Sequence, residues 1–153
     1  MVNYDIYMKK EDNLDLQNKI FLTDVLGGLN NISDNSIDLI FADPPYNIGK
    51  KFGSSKNNGD NLTKEEYLSW CKNWIDECMR VLKNTGTFYF MTSTQNMPYL
   101  DSYVSEKYNV ICRIIWHYDS SGVQAKKYFG SLYEPILMVT KSKDKYKFNS
   151  ESV

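Results

Sequence analysis

The chain has 153 residues, 42% of them hydrophobic and 24% charged, an ordinary composition for a soluble globular protein and enough for one domain with a real core. Lysine and arginine (18) against aspartate and glutamate (19) leave a formal charge of −1, so bulk charge does not drive nucleic-acid binding and any DNA contact must come from local patches. No apolar stretch approaches a membrane span and no signal peptide is visible at the start, which points to the cytosol.

Residues 1–18 read as a polar leader. Residues 19–23 read as a short strand that stops at Asp24, and residues 24–31 as a weak helix, weakened by Gly27 and Gly28. Residues 37–42 form an apolar run rich in β-branched and aromatic side chains, bounded by proline, and predict a buried strand. A loop rich in Gly, Asn and Ser follows over 47–61. Residues 63–83 predict a helix, opened by the capping-box pair Thr63 and Glu66. Tyr67, Trp70, Cys71, Trp74, Ile75, Cys78, Val81 and Leu82 recur at helical spacing and read as core packing. Gly86 reads as the stop signal. A strand over 87–92, a helix from Pro98 to about residue 107, and strands over 110–118 and 134–140 complete the pattern, with a polar tail from Lys141. Strands alternating with helices predict an α/β fold: a mostly parallel sheet with helices on both faces, the last two strands pairing antiparallel across the 119–132 loop.

Cys71, Cys78 and Cys112 lack metal-ligand spacing and read as buried thiols. His117 is the sole histidine, which argues against a histidine triad or a zinc site. Three lysine groups could meet phosphate or merely face solvent: Lys50, Lys51 and Lys56; Lys126 and Lys127; and the run from Lys141 to Lys147.

The chemistry concentrates in Asp43-Pro44-Pro45-Tyr46, directly after the 37–42 strand. Each proline fixes its own φ and removes an N–H donor, and Pro44 pushes Asp43 towards an extended backbone. The segment is stiff, keeps its carbonyls, and presents a carboxylate beside an aromatic face. An exocyclic amino group on adenine or cytosine is a poor nucleophile, because its lone pair is delocalised into the ring. Two acceptors, Asp43 Oδ and the Pro44 carbonyl, would take both amino hydrogens and favour a pyramidal nitrogen. Tyr46 would stack on a base that has left the helix. The bland reading is a strand followed by a proline-rich turn.

Asp43-Pro44-Pro45-Tyr46-Asn47, followed by Ile48-Gly49-Lys50-Lys51-Phe52, resembles motif IV of the β-group DNA amino-methyltransferases. The likeness continues over 70–82, Gly86-Thr87-Phe88-Tyr89-Phe90-Met91, Ile114-Ile115-Trp116-His117-Tyr118-Asp119-Ser120-Ser121-Gly122, Val123-Gln124-Ala125-Lys126-Lys127 and Tyr133-Glu134-Pro135-Ile136-Leu137-Met138. It covers roughly residues 18–149. Over 118–138 it is close to solitary adenine-specific enzymes of the YhdJ type. The resemblance implies methyl transfer from S-adenosylmethionine (AdoMet) to a flipped adenine N6 in double-stranded DNA, with no metal. An Asp-Pro-Pro opening is more typical of adenine N6 enzymes, and cytosine N4 enzymes more often begin with Ser.

By the same resemblance Asp43, Pro44 and Tyr46 are catalytic. Pro45 and Asn47 complete the motif on the substrate side. Asp24 sits where the family places an acid that meets the adenine of AdoMet, or it is simply a helix N-cap. Phe41 and Ala42 line the AdoMet methyl pocket or pack the strand. Trp116 and Tyr118 wall the base pocket or pack the core. Lys50, Lys51, Lys126 and Lys127 meet DNA.

The family binds AdoMet with a Gly-rich turn that in the β group lies downstream of these segments, and the sequence contains no G-x-G strand-to-helix turn. The family's sheet order is 3-2-1-4-5-7-6, and by resemblance this chain supplies strands 3, 4, 5, 6 and 7, around Phe21, Leu39, Tyr89, Ile115 and Leu137. The expectation is a partial Rossmann-like methyltransferase fold: a truncated catalytic domain over 19–149 and a short tail over 150–153, lacking strands 1 and 2. Strand 4 would show a bare edge, so a complementing polypeptide or a homodimer is expected. The rival readings are an inactive remnant that at most binds DNA or a partner, and a cytosine N4 enzyme. Glutamine methylation ranks below these, since such enzymes usually carry Asn in place of Asp43.

Overall fold

A computed structural model describes residues 18–49, 61–119, 127 and 130–152. The capping box forms as expected: the Thr63 hydroxyl accepts from the Glu66 N–H (3.2 Å) and the Glu66 carboxylate accepts from the Thr63 N–H (2.9 Å). In chain order the described elements are α1 (Val25–Leu29), β1 (Ile37–Ala42), α2 (Lys64–Val81), β2 (Leu82–Met91), α3 (Met97–Lys107), β3 (Asn109–His117), β4 (Tyr133–Thr140) and a closing 3-10 turn (Ser150–Ser152). No described helix is long and apolar enough to cross a membrane.

The sheet runs β1-β2-β4-β3. β1 and β2 are parallel, and β4 is antiparallel to both β2 and β3. Hence β1, β2 and β3 share one direction and β4 alone is reversed. This is the 4-5-7-6 portion of the expected order, and it leaves β1 at the sheet's edge.

Alternation along the strands divides the side chains between two faces. Ile40, Ala42, Phe88, Phe90, Leu137 and Val139 join the core beneath α2 and α3. Trp74 meets Phe88 and Phe90 edge-on, with ring centroids 6.2 and 5.9 Å away. Leu39, Phe41, Tyr89, Met138 and Trp116 take the opposite face. There Leu39 is 62% exposed, and Phe41 and Trp116 are each 57% exposed. The α/β architecture stands, with the described helices covering one of the two faces.

Residues 19–23 are not a strand: Ile20 and Leu22 lie exposed and no described strand runs beside them. A strand needs a neighbour to satisfy its backbone, and none is at hand among the described residues. Gly86 does not end α2. That helix passes directly into β2 at Leu82, whose backbone is already extended. The β1–β2 register shifts between the pairs Ile37↔Leu82 and Leu39↔Thr87. Gly86 lies in that irregular stretch, where a Cβ would come within 2.8 Å of the Asp38 carbonyl oxygen and 2.9 Å of the Leu82 side chain. Cys71 and Cys78 are buried as expected, and burial pushes their thiols up to about 11 and about 12. Cys112 is exposed instead, because it pairs with Met138 on the open face of the sheet.

The crowding at Gly86 predicts that Gly86→Ala lowers stability by about 1–3 kcal/mol. Urea denaturation followed by tryptophan fluorescence checks this. A variant as stable as the parent would show that the strand opening relaxes at no cost.

Candidate active site

Strand β1 delivers Asp43 to its carboxyl end, the end of an open α/β sheet where ligands ordinarily bind. The carboxylate is exposed. The turn behind it is held by side chains from three places in the fold. The Tyr67 hydroxyl, on the first turn of α2, donates to the Pro45 carbonyl at 2.8 Å and lies 3.3 Å from Thr92 Oγ1. Asn96 Nδ2, just before α3, donates to the Tyr46 carbonyl at 2.9 Å. Asn47 adopts the left-handed region at φ 53°, a conformation asparagine tolerates. Its amide donates to the Leu62 carbonyl (2.9 Å) and accepts from the Leu62 N–H (3.1 Å). Among the described residues no donor reaches the Pro44 carbonyl.

The Tyr46 ring is half-buried. Burial, then the Asp43 carboxylate beside it, then Glu134 at longer range, keep its phenol protonated and raise its pKa above the ordinary tyrosine value. Glu134 opens β4 and pairs with Trp116 across the β3–β4 ladder. Asp43, Tyr46, Glu134 and Trp116 therefore gather at one end of the sheet. Tyr118, half-buried just past β3, is tied there by its N–H to the Leu132 carbonyl (3.1 Å).

Other expected residues fall differently. Phe41 points to the open face, while Ala42 points under the helices into the core. The strand's alternation thus separates two residues expected in one pocket. Asp24 caps α1, its Oδ1 accepting from the Leu26 N–H (3.0 Å) and the Gly27 N–H (3.2 Å). Lys127 is exposed, and Lys50, Lys51, Lys56 and Lys126 lie outside the described residues. No cluster of three or more metal-ligating side chains occurs among the described residues. Tyr67 and Asn96 were not anticipated. Tyr67 was hidden in the apolar stripe, although a buried phenol needs a partner for its hydroxyl. Asn96 carried no signal at all.

A raised phenol pKa sets the sign of the pH effect. Tyr46's stabilising contribution is full below the ordinary tyrosine value of about 10 and fades as pH climbs past it. We predict that Tyr46→Phe leaves the ultraviolet phenolate titration of the chain unchanged up to about pH 11. A smaller phenolate signal from the variant in that range would mean that Tyr46 ionises like a free phenol.

Residues 37–153 match the family model described as DNA methylase, of the N6/N4 methyltransferase type. The DNA adenine methyltransferase YhdJ of Escherichia coli (strain K12) is 48% identical over 134 residues, which is 85% of this chain and 43% of that protein. The Type II methyltransferase M.HpaI of Haemophilus parainfluenzae is 31% identical over 140 residues, 90% of this chain and 43% of that protein. The chain thus spans less than half the length of either relative. Among solved structures, PvuII DNA methyltransferase (cytosine-N4-specific) shares the fold with a TM-score of 0.60 at 17% identity, over 80% of this chain and 49% of that one. A putative DNA modification methylase of Thermus thermophilus, complexed with S-adenosyl-L-methionine, does so with a TM-score of 0.55 at 18% identity, over 84% and 57%. The motif at the end of β1, the strand order and these matches agree: the chain belongs to the N6/N4 DNA methylase family.

Proposed function

We propose that this chain is the target-base side of an AdoMet-dependent DNA adenine N6-methyltransferase. The observation that carries the reading is the turn at the end of β1. It exposes the Asp43 carboxylate and leaves the Pro44 carbonyl without a donor among the described residues. A flipped adenine stacks on the Tyr46 ring. Asp43 Oδ and the Pro44 carbonyl accept its two amino hydrogens. That draws the nitrogen lone pair out of conjugation and aims it away from both acceptors. Fixed acceptors and fixed distance supply the rate, since nothing reorganises at the moment of reaction. Asp43 then takes the proton released as the N–C bond forms and the methyl–sulfur bond of the donor breaks. The name of the 48% identical relative supports adenine over cytosine, as does the Asp-Pro-Pro opening.

AdoMet supplies an electrophilic methyl group on a sulfonium centre. The donor side of the site is only partly furnished here, by Phe41 on the open face and Asp24 at α1. The Gly-rich turn that completes such sites is not found in this sequence. The edge of β1, unpaired among the described residues, and the apolar face around Leu39 and Phe41 suit a complementing polypeptide that brings it; a second copy would cover the same edge without supplying the turn. Trp116 and Tyr118 flank the base, and Lys50, Lys51, Lys126 and Lys127 meet phosphates of double-stranded DNA.

Asp43→Ala should lower methyl transfer to DNA by at least about 10²–10³-fold in the complete enzyme. Its urea midpoint should stay near the parent's, because the side chain is exposed. Transfer of labelled methyl groups from AdoMet reads the first effect, and an active Asp43→Ala enzyme would refute the role. Calorimetric titration of AdoMet into this chain alone should show no saturable binding. Saturation would mean that the donor pocket forms without a Gly-rich turn.

A further inference from the structure

We infer that Tyr67 and Asn96 are positioning residues that select which backbone carbonyl of the Asp43–Tyr46 turn meets the target amino group. The inference rests on the methyl-transfer reading and extends it to side chains placed behind the turn, away from the base and the methyl donor. The turn carries successive carbonyls at Pro44, Pro45 and Tyr46. Tyr67 occupies the second (2.8 Å) and Asn96 the third (2.9 Å), so that of these three the Pro44 carbonyl is the one without a donor among the described residues.

Neither donor is an incidental surface contact. Tyr67 is 1% exposed, so core packing fixes its ring and delivers the hydroxyl to one place. Asn96 stands at the N-cap position of α3, where an asparagine side chain ordinarily accepts a helix N–H. It makes no capping bond and reaches the Tyr46 carbonyl instead. Asn47 closes the far end of the turn on both backbone groups of Leu62, the residue before the Thr63 cap. The turn is therefore clamped to the start of α2 and to the start of α3. Without the clamp, the Pro45 and Tyr46 carbonyls would compete as acceptors and the turn could shift. A displacement of about an ångström at a reacting centre costs on the order of 100-fold in rate.

The test uses Tyr67→Phe, which keeps the ring and removes the donor, and Asn96→Asp, which keeps the shape and replaces the donor with an acceptor. In the complete enzyme each should lower kcat roughly 10- to 100-fold, with the KM for AdoMet and the affinity for DNA nearly unchanged. In the 153-residue chain, hydrogen exchange of the Leu62 N–H, which Asn47 Oδ1 accepts at the end of the turn, should rise while that of residues 71–81 holds. Unchanged kcat together with unchanged exchange in both variants would overturn the inference. So would Asn96→Asp behaving like the parent, which would mean that Asn96 only fills space. If Tyr67→Phe loses protection throughout, Asn96→Asp at the helix end decides alone. If the parent transfers no methyl group to DNA, or Asp43→Ala remains active, the proposed function fails instead, and the exchange measurement still decides the clamp.

Discussion

The seating of α2 on β2 governs everything else in this molecule. Trp74 reaches the edges of Phe88 and Phe90, while Cys71, Ile75 and Cys78 fill the space around them. Aromatic burial on this scale is a large share of the stabilisation available to so small a sheet. Its geometric effect is as important. β2 is the strand that pairs with both β1 and β4, so fixing β2 fixes the two strands that carry Asp43 and Glu134. The same helix brings Tyr67 to the back of the turn.

Two polar clusters hold the remaining pieces to α2. The Arg80 guanidinium donates to the Leu29 and Ile32 carbonyls and pairs with Asp34 and Glu77. It thereby adds a second donor to the Leu29 carbonyl, where α1 ends, and a donor to the Ile32 carbonyl just beyond. Lys141, at the end of β4, adds bonds to Asn35 Oδ1 (2.7 Å) and the Arg80 carbonyl (3.0 Å). On the other side of the helix, Asp76 accepts from the Tyr103 and Tyr108 hydroxyls and pairs with Lys107. These partners hold its carboxyl below the usual carboxylate range against the opposing effect of burial. Helix α3 is thus tied to α2 by packing and by a shared carboxylate, and Asn96 at its start is placed accordingly.

The division between a covered and an open face gives the chain its functional polarity. Beneath the helices, core side chains build a rigid support. On the open face Leu39, Phe41 and Trp116 are exposed, beside a strand edge that no other described strand pairs. An apolar face and a free edge of this kind ordinarily mark a surface that meets another segment.

Local sequence alone determined the chemistry of the turn. Two prolines stiffen their own backbone wherever they stand, and an apolar run ending at Asp43 needs no tertiary contact to read as a strand with an acid at its tip. The capping box and the stripe of α2 were equally local, because a helix satisfies its own backbone. Residues 19–23 read as a strand and are not one, since strand formation depends on a neighbour that sequence pattern cannot supply. Gly86 read as a helix stop, but its need for glycine comes from the Asp38 carbonyl, 48 residues away in the chain. The clamp on the turn was invisible for the same reason. Tyr67 and Asn96 lie 22 and 50 residues from the carbonyls they hold. Hydrogen bonds of that range exist only after α2 and α3 have docked on the sheet, so tertiary structure alone decided that the Pro45 and Tyr46 carbonyls are taken.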